Sequence, residues 1–359
     1  MKRLLILILA LNSTAFGDDF HIYAPSRESG SLLVVEAKST GEELKLAVKQ
    51  QADLGFLGAS IVAHPDQQLL YVAAVRVDEN EVVHGAVVRL GEDGGYVSHE
   101  PVKLNHPCAY LSLDRQNRFL LGASYFGGQI DIYPLDEEGI PGKSVVSLDE
   151  GRQFAHCILP SPDNQFVYIP YVKENNALYQ YRFDAETGGL TALKPKNVGP
   201  PEGTGPRHLA YHPTKPFVYF SNEQHLGVSV YQMEPAGTLK LRQVCDAVDA
   251  DESTDRVSSS DIVITPDGRF IFAGIRGHKR DFDWISRYCV KKDGEVELLG
   301  LTPADKIPWG LALSPDGRYL IASAFEGGTL TAYRINEAGG LTKAAALECD
   351  KKISDLVTR

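Results

Sequence analysis

Short stretches of alternating apolar and polar residues, broken by turns rich in Pro, Asp and Gly, repeat along almost the whole chain. Six segments share one frame of apolar strand, turn and second apolar strand: SIVAHPDQQLLYVAAV, AYLSLDRQNRFLLGAS, HCILPSPDNQFVYIPY, HLAYHPTKPFVYFSNE, DIVITPDGRFIFAGIR and GLALSPDGRYLIASAF. Their turn residues, Pro65, Asp114, Pro162, Pro213, Pro266 and Pro315, follow one another at spacings of 49, 48, 51, 53 and 49. A third alternating strand follows (QIDIYPL, ALYQYRF, GVSVYQM, TLTAYRI), often with a fourth such as TALKP or TLKLRQV. Period-two alternation marks half-buried strands, and four strands in a repeat of this length predict a propeller blade.

The two ends predict a seventh blade. From Phe20 the chain reads FHIYAPS, SLLVVEA and LKLAVKQ, matching second, third and fourth strands with no first strand before them. The tail from Ile353 to Thr358 supplies that strand. Pairing the termini would close the ring and remove the exposed edges an open array must protect. The expected fold is therefore all-β, a seven-bladed β-propeller with four antiparallel strands per blade, closed by pairing of its termini, over residues 18–359 as one domain.

In such a ring the first strand of each blade lines the channel, so its start and the end of the second strand meet at one mouth. Two antiparallel strands joined by a tight turn force that meeting. Six positions before each turn residue stand Ala59, Cys108, His156, Arg207, Ser260 and Trp309; ten or eleven after it stand Arg76, Tyr125, Lys173, Glu223, Arg276 and Glu326. His156, Arg207, Glu223 and Arg276 are the candidate catalytic groups, and Arg76, Tyr125, Asp261 and Trp309 the candidate substrate contacts. Arg276 stands where a guanidinium could grip an anion with two hydrogen bonds. Alternation predicts that His208, one step past Arg207, turns away from the channel, and that Asp261 bonds backbone between blades.

Composition narrows the setting. At 359 residues and 43% hydrophobic, the chain can bury a large core. A formal charge of -11 disfavours nucleic acid and anionic membrane as partners. Met1 to Gly17 combines Lys2 and Arg3, the apolar run LLILILAL and a small-residue end, the three parts of a secretory signal. The expectation is a cleaved signal over residues 1–17 and a mature, monomeric protein exported to the periplasm or beyond, with no membrane segment. The five cysteines form no CxxC pair and have no metal spacing with histidine, so buried free thiols are expected and no metal or other cofactor. GxSxG, HExxH, P-loop and EF-hand signatures are absent.

GTGPRHLAYHP with SNE sixteen residues after its arginine, together with DIVITPDGRFIFAGIR, resembles the seven-bladed lactonase family. That family includes bacterial 6-phosphogluconolactonases and the fungal carboxymuconate cyclase, and the resemblance runs from about Phe20 to about Leu347. It implies that His156 in AHCILPSPD, Arg207 of GPRH, Glu223 of NE and Arg276 closing the DGRF strand are functional. Many members carry an arginine after the proline at the last blade and an Asn or Gln after the next strand; here Trp309 follows Pro308, and the strand ends in Phe325-Glu326. The resemblance thus implies one anion-binding group fewer.

Lactone hydrolysis needs a base for water, donors for a carbonyl oxygen gaining charge and an acid for the leaving alkoxide. Glu223 or His156 could be the base, with the other as acid and the arginines as donors. A small anionic lactone is the expected substrate. The same groups would suit a cycloisomerase acting on an unsaturated carboxylic acid, and a non-catalytic exported binding propeller is the third reading. Convergence of the four residues on one point separates the enzymes from the binding module.

Overall fold

Seven four-stranded antiparallel sheets follow one another around a ring in the computed structural model, which describes residues 19–40, 43–76, 85–248 and 257–359. The signal-like residues 1–17 lie outside the described residues. The first blade takes its innermost strand, Val357–Thr358, from the C-terminus and its next three, Phe20–Pro25, Ser31–Thr40 and Glu43–Asp53, from the N-terminus. The second to seventh blades each use consecutive strands, with innermost strands Gly58–Ala63, Tyr110–Leu113, Leu159–Pro160, Pro206–Tyr211, Ser258–Ile264 and Pro308–Leu313. The all-β propeller expected from the repeats, including its closure through both termini, is the observed fold.

Alternation explains how the blades stack. Side chains on both faces of the inner strands meet those of neighbouring blades, so inner strands are buried while outermost strands such as Leu239–Asp246 face water. Every adjacent pair of blades shares an apolar cluster, and the first blade packs against the seventh through Phe20, Ile22 and Ile321 and against the second through Tyr23, Leu32 and Val72. A tyrosine on the second strand repeatedly donates to a glycine carbonyl in the next blade: Tyr23 to Gly94, Tyr71 to Gly139, Tyr168 to Gly237 and Tyr219 to Gly294, at 2.7–3.0 Å. At Gly237 (φ 86°) a Cβ would stand 2.1 Å from the Phe166 ring, so the approach of these blades requires glycine.

The recurring turns are held by their own side chains. In Ser161-Pro-Asp163, Thr265-Pro-Asp267 and Ser314-Pro-Asp316 the hydroxyl donates to the aspartate and accepts the N–H that opens the second strand. All five cysteines are free.

The closing strand is tied at several points. His21 and Arg359 exchange backbone hydrogen bonds at 2.7 and 3.0 Å, the Thr358 hydroxyl donates to the Leu313 carbonyl, and Ser354 donates to the Ala59 carbonyl. Deleting residues 352–359 therefore strands polar groups in three blades. At about 1–3 kcal/mol for each buried group left unpaired, the melting temperature is expected to fall by roughly 10 °C or more. An unchanged melting curve would mean that the ring does not depend on this latch.

Candidate active site

One end of the channel widens into a cavity of about 330 Å³ lined by charged and aromatic side chains from several blades. His156, Arg207, Glu223 and Arg276, expected from the register, all reach it, as do Arg76, Tyr125, Lys173 and Trp309. They come together on Glu223. Its Oε2 lies 3.3 Å from Arg207 Nε and 4.0 Å from His156 Nε2, and its Oε1 lies 3.6 Å from Arg276 Nη2. The three partners belong to the fourth, fifth and sixth blades, so the carboxylate joins neighbouring strands across the channel.

Both arginines are buried, with side chains 1% and 4% exposed, yet they are not saturated. Arg276 Nη2 donates to the Ser259 carbonyl at 2.6 Å, and its guanidinium stacks 4.4 Å from the Trp309 ring centroid. Arg207 Nε and Nη1, Arg276 Nε and Glu223 Oε2 make no hydrogen bond; Arg207 Nε and Glu223 Oε2 are near each other but misaligned. Buried polar atoms are almost always bonded, and these four leave the wall of the cavity polar and unsaturated.

Two consecutive residues, Arg207 and His208, both line the cavity. Alternation alone would send His208 the other way, as the sequence led us to expect. The reason for the difference is a bulge: between Pro206↔Asn222 and Leu209↔Phe220 the inner strand carries one residue more than its partner. The same irregularity occurs between Ser259 and Ile262 and between Pro308 and Leu311. In the seventh blade it sets Gly310 where the fifth has His208, and a Cβ there would stand 3.0 Å from Asp355 Cα.

Asp261 does not reach this cavity, contrary to its expected place among the substrate contacts. It sits behind His208, accepting from His208 Nδ1 (2.8 Å) and from the backbone N–H groups of Ile262 (2.8 Å) and Leu311 (3.0 Å), the latter in the next blade. The equivalent Asp355 of the terminal blade accepts in the same way from Leu356 and from Ile61 of the next blade. Only Asp261 has a histidine against it, and the two carboxyls diverge accordingly. Burial pushes Asp261 up, but the His208 hydrogen bond, the Leu311 N–H and Arg207 outweigh it and hold the carboxyl below its ordinary value. For Asp355, burial and then the charge of Asp261 dominate and push it up to about 8, toward the protonated form.

Both site histidines are pressed toward the neutral form. Burial, then Arg207, His208 and Arg276, pull His156 well below the usual imidazole value. Burial and Arg207 bring His208 down to about 4 against the opposing pull of Asp261. Around the rim Arg76 stacks on Phe126 and Lys173 on Phe154, each 4.2 Å from the ring centroid.

Arg27 is a lining cation that the sequence reading missed, placed 5.5 Å from the Phe325 centroid. It follows the second strand of the first blade as Arg76 follows that of the second, so the register contained it. Its guanidinium lies over Phe325, whose ring in turn packs on Trp309. Glu326, Cys108 and Ser260 do not line the cavity, whereas His278 and Asp355 do. Five cations, Arg27, Arg76, Lys173, Arg207 and Arg276, thus face two carboxyls, of which Asp355 is pushed toward its protonated form, in a chain whose formal charge is -11. Such a cavity draws anions out of an otherwise acidic field.

Comparison with known proteins gives a consistent picture. Residues 18–352 match the family model described as lactonase, 7-bladed beta-propeller. The chain is 30% identical over 324 residues to a 6-phosphogluconolactonase of Enterobacter sp. (strain 638), covering 89% of this chain and 92% of that one. A 6-phosphogluconolactonase of Cronobacter sakazakii is 31% identical over 323 residues with the same coverage. The structure of the periplasmic gluconolactonase PpgL of Pseudomonas aeruginosa superposes with a TM-score of 0.82 over 95% of this chain and 99% of that one, at 22% identity.

Proposed function

Because the chain belongs to the seven-bladed β-propeller lactonase family, we propose that it hydrolyses an anionic sugar-acid lactone in the cavity around Glu223. The observation that carries this reading is the meeting of His156, Arg207 and Arg276 on one carboxylate, each within 4.0 Å, from three blades. The propeller register brings the four residues to one mouth, and their convergence on a single carboxylate beside a cavity is what suits a hydrolytic site.

In this mechanism the lactone carbonyl lies against the guanidinium groups of Arg207 and Arg276. Water adds to the carbonyl carbon as His156 Nε2 takes its proton, and the oxygen that becomes negative is held by the two guanidiniums. Collapse of the intermediate breaks the bond from the carbonyl carbon to the ring oxygen, and that oxygen leaves as a hydroxyl after taking the proton back from His156. Glu223 aligns the arginines and lies close enough to stabilise the imidazolium between the two transfers. Arg27, Arg76 and Lys173 at the rim receive the far anionic end of the substrate.

Cation chemistry is already supplied by guanidinium groups, and a metal ion beside Glu223 would be repelled by both. Acid release from a panel of phosphorylated, carboxylated and neutral lactones is therefore expected to favour the anionic members and to continue undiminished in chelator. Loss of activity in chelator with recovery on adding calcium or zinc would overturn the metal-free mechanism. No acid release from any lactone would overturn the hydrolase reading, and ring closure of an unsaturated carboxylic acid in its place would make the protein a cycloisomerase.

The reading includes export of the chain as a monomer. The basic and apolar start of the sequence supports export, as does the likeness to a protein described as periplasmic; among the described residues no helix is long and apolar enough to cross a membrane. N-terminal sequencing of the native protein is expected to begin near Asp18, and a chain beginning at Met1 would contradict export with cleavage.

A further inference from the structure

Behind the cavity a line of hydrogen bonds runs from His156 to a buried carboxylate. His156 Nδ1 lies 3.1 Å from His208 Nε2, and His208 Nδ1 lies 2.8 Å from Asp261 Oδ1. Donor and acceptor roles along this line are fixed from one end. Asp261 already accepts the N–H groups of Ile262 and Leu311, and as an ionised carboxylate it can only accept. The proton between it and His208 therefore sits on His208 Nδ1. Neutral His208 then has a lone pair on Nε2 and must accept, so the proton of the second bond sits on His156 Nδ1.

We propose that Asp261 and His208 act as positioning residues that lock His156 in its Nδ1–H tautomer, leaving Nε2 as an unprotonated base facing the cavity and Glu223. Free neutral imidazole favours the opposite tautomer, which would put a proton where the base must be bare. The lock also gives the imidazolium formed during turnover a line of hydrogen bonds ending on a negative charge. The bulge at Arg207-His208 is what makes this possible, since it brings His208 round to meet His156. Three accepted hydrogen bonds favour Asp261 as the ionised carboxyl here, while burial pushes Asp355 toward its protonated form.

The groups facing this line are Arg207, Arg276, Glu223 and Tyr125 around His156, and Arg207, Glu223 and the Tyr110 ring edge around His208. The Arg207 and Arg276 charges oppose protonation of His156. A simple ion pair with Glu223 would instead call for a proton on His156 Nε2, so the tautomer separates the two arrangements.

The relay rests on the lactonase reading for its role in turnover, but its geometry can be tested without any substrate. Nitrogen-15 NMR of histidine-labelled protein at pH 7, with His156 assigned by comparison with His156→Asn, is expected to show a protonated Nδ1 and a bare Nε2. A protonated Nε2 in the wild type would overturn the proposal, whatever the protein hydrolyses. With the best lactone, His208→Phe is expected to lower kcat roughly 10-fold or more with KM changed far less, and His208→Gln, whose amide oxygen can still accept from His156, to recover part of the loss. Wild-type kcat in folded His208→Phe would also overturn it; if that variant fails to fold, the wild-type tautomer decides. Absence of lactone hydrolysis together with the Nδ1–H form would count against the function alone.

Discussion

His156→Asn is expected to leave the melting temperature close to that of the wild type and to lower kcat on the best lactone by roughly 100-fold or more, the scale of losing a general base. The side chain sits at the cavity wall, where its ring packs on Tyr125 and His208, and an Asn amide can still donate to His208 Nε2 as His156 Nδ1 does, so little stability is expected to be lost. The wild-type pH profile should carry the same signature. The base works only when unprotonated, and burial with Arg207, His208 and Arg276 holds its pKa well below 6.5. As pH falls through 6.5 the rate on the lactone should therefore persist, and decline only at distinctly lower pH. A decline centred on 6.5, or a His156→Asn variant of wild-type rate, would remove His156 from the chemistry.

The second large effect is expected at Glu223. In Glu223→Gln the amide keeps the shape of the carboxylate, but two guanidiniums 1% and 4% exposed lose the negative charge between them. Removing one partner from a buried charge cluster costs about 3–5 kcal/mol, so this variant should melt earlier as well as turn over roughly 100-fold or more slowly. A hydroxy-acid product should also bind it more tightly, because its carboxylate then meets arginines with no competing anion. Lower stability with unchanged kcat per folded molecule would mark Glu223 as a strut between blades, and unchanged stability would contradict the electrostatic account of the cluster.

The ring and most of the mouth were legible because a propeller writes its geometry into its period. With a strand pair every 48–53 residues, counting from the turn residue places Arg207, Glu223, His156 and Arg276 at one end before any coordinates are known. Counting fails where the backbone departs from alternation. His208 was misplaced because nothing in GPRHLAY announces a bulge, and Asp261 was drawn toward the substrate although its carboxylate is used by His208 and Leu311. Arg27 was missed for another reason: the first blade takes its inner strand from the other end of the chain, so the six-segment frame never covered it. The likeness of SDIV at Asp261 to SDLV at Asp355 was readable, and it foretells their shared backbone contacts. Their opposite pKa shifts go with the histidine that stands against Asp261 and the glycine that stands against Asp355, a pairing only the folded ring sets.

The most direct test of the central claim is a crystal structure of the protein with the hydroxy-acid product of its best lactone. The new carboxylate is expected within hydrogen-bond distance of the Arg207 and Arg276 guanidinium groups, with one oxygen facing His156 Nε2. Product bound instead in the second cavity, lined by Tyr110, Arg115, Asp261 and Asp355, with the arginine N–H groups untouched, would contradict it.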